Sequence, residues 1–159
     1  MLFETLKLGS KLFREKISIM KVDGQNIRPI WLDSDLKKVK VIDQRLLPHE
    51  FVVADLKSVD DVILAIREMV VRGAPLIGVT AAYGVYLAAL NSPTDPIEDA
   101  YMIEECTRLK SARPTAVNLA WAVDEVLSGM LKISDPSEKV DAARKEAEKI
   151  AEAEACLLY

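Results

Sequence analysis

Two short segments pair an arginine with a proline-led apolar run: Val71-Arg72-Gly73-Ala74-Pro75-Leu76-Ile77-Gly78 and Ala112-Arg113-Pro114-Thr115-Ala116-Val117-Asn118-Leu119. Proline favours the first turn of a helix, where its missing N–H is not needed. The remaining unpaired amides of that turn, with the helix dipole, attract negative charge. An arginine beside each run adds a planar fork suited to phosphate or carboxylate. Two such mouths in one chain point to a small anionic, phosphorylated ligand. The structural alternative uses the same residues: Gly73 stops a helix, and Arg72 and Arg113 brace loops through carboxylates.

Other reactive side chains offer less. Cys106 and Cys156 stand alone, without a Cys-x-x-Cys or a paired histidine, so they read as reduced thiols rather than a metal site or disulfide framework. The single histidine, His49, follows Pro48 in an expected loop and has no acidic or nucleophilic partner in view; it reads as structural. The formal net charge of −4 argues against a general nucleic-acid surface. The local group Lys37-Lys38-Val39-Lys40 reads as a solvated turn. Half of the 159 residues are hydrophobic, enough for one domain with a real core.

The elements that must position the two arginines change character near residue 58. Before it, Ile27 to Ile30, Val39 to Asp43 and Phe51 to Ala54 are short apolar or β-branched runs, separated by Asp33-Ser34-Asp35 and Leu47-Pro48 and preceded by Asp23-Gly24. They predict three short strands in a small antiparallel sheet. After it, helical punctuation takes over. Ser58 and Asp61 make an N-terminal cap for a helix carrying Val59, Val62, Ile63, Ile66, Met69 and Val70, which Gly73 is expected to end in the αL conformation. Pro75 begins the next helix, and Ala74 to Leu90 is so evenly apolar that it predicts a buried helix, too short and too interrupted to span a membrane. Asp95-Pro96, Pro114 and Asp135-Pro136 are expected to open three more. In the fourth helix Val117, Leu119, Trp121, Val123, Val126 and Leu127 look too evenly apolar for a surface position. The fold class is thus α+β, mostly α: a small N-terminal antiparallel sheet (about 27–54) followed by a bundle of about five helices (about 58–158).

Residues 1–19 read as an extension, possible as a short amphipathic helix through Leu2, Leu6, Leu8, Leu12 and Phe13, with no secretory apolar core. The remaining domain then runs from 20 to 159. No Gly, Asn or Pro ends the last helix before Tyr159, so the chain is expected to stop inside a longer protein.

Three segments in order, Ile42-Asp43-Gln44-Arg45-Leu46-Leu47-Pro48 and the two arginine motifs, resemble the N-terminal part of the methylthioribose-1-phosphate isomerases, in the superfamily that includes the initiation factor 2B regulatory subunits. Ile27-Arg28-Pro29-Ile30-Trp31 is similar to the family's opening strand, although Pro29 stands where Thr is usual, and Leu76 replaces a frequent Ala. The resemblance implies an aldose–ketose isomerase of methionine salvage that converts 5-methylthioribose 1-phosphate to the ribulose phosphate, without metal, nucleotide or other cofactor. It implies substrate-binding roles for Arg72, Gly73, Ala74 and Arg113; Asn118 and Asp43 fit capping or core hydrogen bonding at least as well. It also implies a cytoplasmic homodimer whose catalytic Cys (in Thr-His-Cys-Asn) and Asp lie in a Rossmann-like C-terminal domain. Neither lies in this chain, Cys156 being in a helical context, so no catalytic residue is assigned here. Two further readings keep the arginines or the fold: a ribose-1,5-bisphosphate isomerase, and a non-catalytic regulatory subunit. Neither nucleic acid nor membrane is an expected partner.

Overall fold

The computed structural model describes the backbone of residues 20–22 and 25–157 and the side chains of residues 27–155. The expected extension 1–19, and the side chain of Cys156, lie outside the described residues.

Two small antiparallel units lead the chain. Strands β1 (Met20–Val22) and β2 (Gln25–Ile27) pair with Val22 opposite Gln25 and Met20 opposite Ile27. Strands β3 (Ile30–Leu32), β4 (Val39–Ile42) and β5 (Val53–Leu56) form the expected three-stranded sheet in the order β3-β4-β5. Its outer strands are shifted from the expected ranges. Pro29 separates β2 from β3, so Ile27 ends β2 instead of starting the three-stranded sheet, while the Pro29 carbonyl accepts a hydrogen bond from Ile42 N–H at 3.0 Å. Phe51 and Val52 are exposed and precede β5. The basic group beside β4 is tied down: Lys40 pairs with Asp55 at 2.9 Å, and Lys38 with Asp55 at 3.2 Å.

Five α-helices follow: α1 (Val59–Arg67), α2 (Ala74–Leu90), α3 (Asp99–Ser111), α4 (Val117–Leu131) and α5 (Lys139–Leu157), the last preceded by a 3₁₀ turn at Pro136–Glu138. Helix α2 is the axis of the bundle. Every residue from Leu76 to Ala89 is buried, and the other four helices and β3 pack around it. Small residues set the approach. A Cβ added at Gly84 would stand 2.8 Å from Leu109 Cδ2 and 3.0 Å from Val62 Cγ1, so α1 and α3 close on α2 only over a bare backbone. Buried Thr80 donates its hydroxyl proton to the Leu76 carbonyl at 2.7 Å, which removes the cost of a polar group in this core.

The punctuation works as expected at Ser58, which accepts from Asp61 N–H while the Asp61 carboxylate accepts from the Ser58 backbone. Asp135 likewise accepts from Ser137 N–H at 2.9 Å, capping the 3₁₀ turn rather than α5 itself. Four expectations are corrected. Helix α1 ends at Arg67, and its stop is Met69, not Gly73. Val70 N–H bonds to the Ala65 carbonyl, Met69 N–H bonds to the Ile66 carbonyl, and Met69 sits at φ 58°. These are the two bonds and the left-handed residue of a Schellman motif, which was not anticipated because Met is an unusual choice there. Gly73, at φ 90° and ψ 135°, instead caps the start of α2. Helix α4 starts at Val117, because Pro114 is the second residue of a turn closed by Ala116 N–H to the Arg113 carbonyl at 3.0 Å. Helix α3 starts at Asp99, beyond the turn that holds Asp95-Pro96. The even apolarity of α4 also misleads: Leu119, Ala122, Val123, Val126 and Met130 form one buried face, while Val117 and Trp121 are exposed.

Candidate functional site

The first arginine motif is built on a braced loop. After β4, Asp43 N–H bonds to the Val52 carbonyl, and Gln44 N–H to the Val70 carbonyl, both at 2.9 Å. Arg72 returns the tie by donating from Nη2 to the Gln44 carbonyl at 2.9 Å. The segments 42–48 and 70–78, remote in sequence, are thus laced together at Gln44 by one backbone bond and the Arg72 guanidinium. Asp43 belongs to this bracing. It is buried, and Arg45 holds it with Nε and Nη2 at 2.9 and 2.7 Å and with its own backbone N–H at 3.1 Å. The Arg45 side-chain hydrogen bonds keep the Asp43 carboxyl below its ordinary range, despite the opposing effect of burial. Asp43 is committed to the fold.

Gly73 and Ala74 stand exposed where this loop enters α2. A Cβ at Gly73 would meet nothing within 4 Å, so backbone conformation, not crowding, is what calls for glycine. No side chain caps α2 and its first turn carries no acid; Pro75 lacks an N–H, while Ile77 N–H already bonds to the Gly73 carbonyl. The early amides of α2 therefore face the exposed Gly73–Ala74 corner without a built-in acceptor.

The second motif meets the first directly. A Cβ at Gly78, in the second turn of α2, would lie 3.2 Å from the Asn118 carbonyl oxygen and 3.4 Å from Asn118 Cβ. The first turn of α4 is thus seated against the first half of α2. Helix α4 repeats the local character of α2: Ala116 as N-cap, no side-chain cap and no acid in the first turn. Arg113 precedes it, half-buried, and among the described residues its guanidinium has no hydrogen-bond or ion-pair partner. Asn118 contributes close packing through its backbone and Cβ.

The remaining candidates lie elsewhere. His49 is exposed in the loop before β5. Cys106 is buried in α3, and burial pushes its thiol up to about 12, so it is a packing residue rather than a nucleophile. A small cavity of about 40 Å³ beside α2, walled by Pro75, Leu76 and Val79 and by Ala151 and Ala155 of α5, has an almost wholly apolar lining. It does not suit a phosphorylated sugar. The sequence missed three features: the Asp43–Arg45 clamp, the Gly78–Asn118 seat, and the exposure of Val117 and Trp121. Only the first left a signal, an acid and an arginine two residues apart at a strand end.

Comparison with known proteins places these motifs in context. The model of the initiation factor 2 subunit family matches residues 70–156, which include both arginine motifs. A methylthioribose-1-phosphate isomerase from Desulfosudis oleivorans is 54% identical over 132 residues, covering 83% of this chain and 36% of that protein. One from Brucella anthropi is 50% identical over 133 residues, covering 84% and 35%. Among solved structures, 5-methylthioribose 1-phosphate isomerase from Pyrococcus horikoshii superposes with a TM-score of 0.73 at 32% identity, over 87% of this chain and 38% of that one. The delta subunit of translation initiation factor eIF-2B from A. fulgidus superposes with a TM-score of 0.70 at 34% identity, over 80% and 37%. The chain therefore spans about a third of the length of the curated relatives it matches.

Proposed function

Because the chain belongs to the initiation factor 2 subunit family, we propose that it is the N-terminal, substrate-binding part of an aldose–ketose isomerase acting on 5-methylthioribose 1-phosphate. The observation that carries this reading is the pair of uncapped helix starts, α2 and α4, each next to an arginine and seated on one another through Gly78 and Asn118.

In this reading the phosphate is shared between the early amides of the two helices and the forks of Arg72 and Arg113. Arg113 has no partner among the described residues and so is left to meet the anion, whereas Arg72 is aimed by its bond to Gln44. Gly73 and Ala74 leave the backbone bare where the anion approaches. The anomeric carbon bears the phosphate, so the ring must open before a proton passes between the neighbouring carbons. That transfer needs an acid and a base in a site closed to water. This chain supplies the anion grip; the acid and base come from the remainder of the enzyme, which we place in the cytoplasm as a homodimer.

The Arg113→Ala change in the full-length protein tests the assignment. Loss of a charged hydrogen bond to phosphate is expected to cost about 1.5–3 kcal/mol, roughly ten- to a hundredfold in kcat/KM. The melting temperature should hardly move, because the guanidinium braces nothing among the described residues. Formation of the ketose is followed by NMR, with ribose 1,5-bisphosphate as competing substrate. Undiminished turnover removes Arg113 from the site, and conversion of the bisphosphate alone transfers the activity to that sugar.

A further inference from the structure

Val117 and Trp121 remain unexplained by either the core or the phosphate grip. They are 79% and 49% exposed, although the buried face of α4 is already complete without them. Four residues apart, they are neighbours on one stripe of the helix. Trp121 lies about 60° around α4 from Asn118, the residue seated against Gly78 of α2. Val117 is the first residue of α4, directly after the N-cap Ala116, and Trp121 stands one turn beyond it. Exposed apolar surface thus begins at the uncapped start of α4, the helix that follows Arg113.

We propose that Trp121, flanked by Val117, is the wall that receives the end of the sugar remote from its 1-phosphate, and that it selects a methylthio group there over a second phosphate. This rests on the isomerase reading above and names its specificity residue. A methylthio group is uncharged and polarizable, and thioether sulfur packs favourably against aromatic rings. A phosphate in the same place would lie against the electron-rich indole face and give up hydration without gaining a donor. The charges on the next turn reinforce the choice: Asp124 and Glu125 are both acids, and Lys110 is already engaged by Asp124.

The test uses the full-length protein with two substrates, 5-methylthioribose 1-phosphate and 5-deoxyribose 1-phosphate, which differ only in the methylthio group. The wild type is expected to prefer the first. Trp121→Ala should lower that preference, read as the ratio of the two kcat/KM values, by about tenfold or more, the range for small apolar groups in a pocket. Trp121→Phe should restore most of it. A merely structural role would slow both sugars alike; an unchanged ratio in Trp121→Ala overturns the proposal while leaving the isomerase reading intact. Failure of the wild type to convert either sugar overturns both.

Discussion

Replacing Gly73 by alanine asks whether backbone conformation sets the mouth of α2. At φ 90° and ψ 135° the residue occupies a region that side chains with a Cβ rarely adopt, yet a Cβ there would touch nothing within 4 Å. The cost is therefore almost purely conformational, about 1–3 kcal/mol for a residue held in such a region. Against it stands the smaller freedom of alanine in the unfolded chain, worth about 0.4–1 kcal/mol. The net loss should be about 1–2 kcal/mol. For a protein of about 150–250 residues this lowers the melting temperature by roughly 2–8 °C. Urea denaturation followed by circular dichroism should show an earlier midpoint with an unchanged slope, since no surface burial is altered. If the substitution forces Gly73 to rotate, the first amides of α2 turn with it, and KM for the phosphosugar should rise. A midpoint equal to or above that of the wild type would refute the conformational argument, because no steric term exists to hide behind.

Two further changes follow from the same backbone. Met69 holds the left-handed position that glycine usually fills, at about 1–2 kcal/mol for a residue with a Cβ, so Met69→Gly should stabilise the protein by about 0.5–1 kcal/mol after the entropy of the extra glycine is subtracted. Denaturation midpoints measure it, and a loss would show that the half-exposed Met69 side chain contributes more than its strain. Asp43 has its acid strength raised by Arg45, so its contribution is complete above the ordinary carboxylate range and disappears as pH falls through its lower folded value. Asp43→Asn should therefore flatten the decline in stability below about pH 5, and acid limbs of equal steepness in the two proteins would remove the clamp from the stability of the loop.

Much of this architecture can be read from local pattern because its causes are local. The sheet follows from short β-branched runs between turn residues, the α1 start from Ser58 and Asp61, and the burial of α2 from seventeen residues without a charge. The misplacements share a cause as well. Proline reports a turn as readily as a helix start, and only the bond from Ala116 N–H to the Arg113 carbonyl decides for the turn at Pro114. Glycine reports positive φ without saying which positive φ, so Gly73 was expected as the end of α1 when it is the beginning of α2. Exposure of Trp121 was hidden for a different reason: α4 carries more apolar residues than its core face needs, and composition alone cannot tell the surplus from the core.

The candidate site was legible as two arginine motifs but not as one place, because what joins them carries no chemistry of its own. The Schellman stop at Met69 turns Val70 so that its carbonyl receives Gln44 N–H; that bond brings the Gln44 carbonyl to Arg72, which fixes the arginine beside Gly73. The bare Gly78 then admits Asn118, and with it the first turn of α4. Each step uses backbone groups or a missing side chain, so none has a sequence signature as strong as an arginine. The dependence also runs in one direction. Shortening Arg72 would leave the bonds of Asp43 to Val52 and of Gln44 to Val70 intact, whereas loss of the Gln44–Val70 bond would release Arg72 from its only described partner. In the proposed site Arg72 is thus the last link of a structural chain, and its aim is set by the backbone groups behind it.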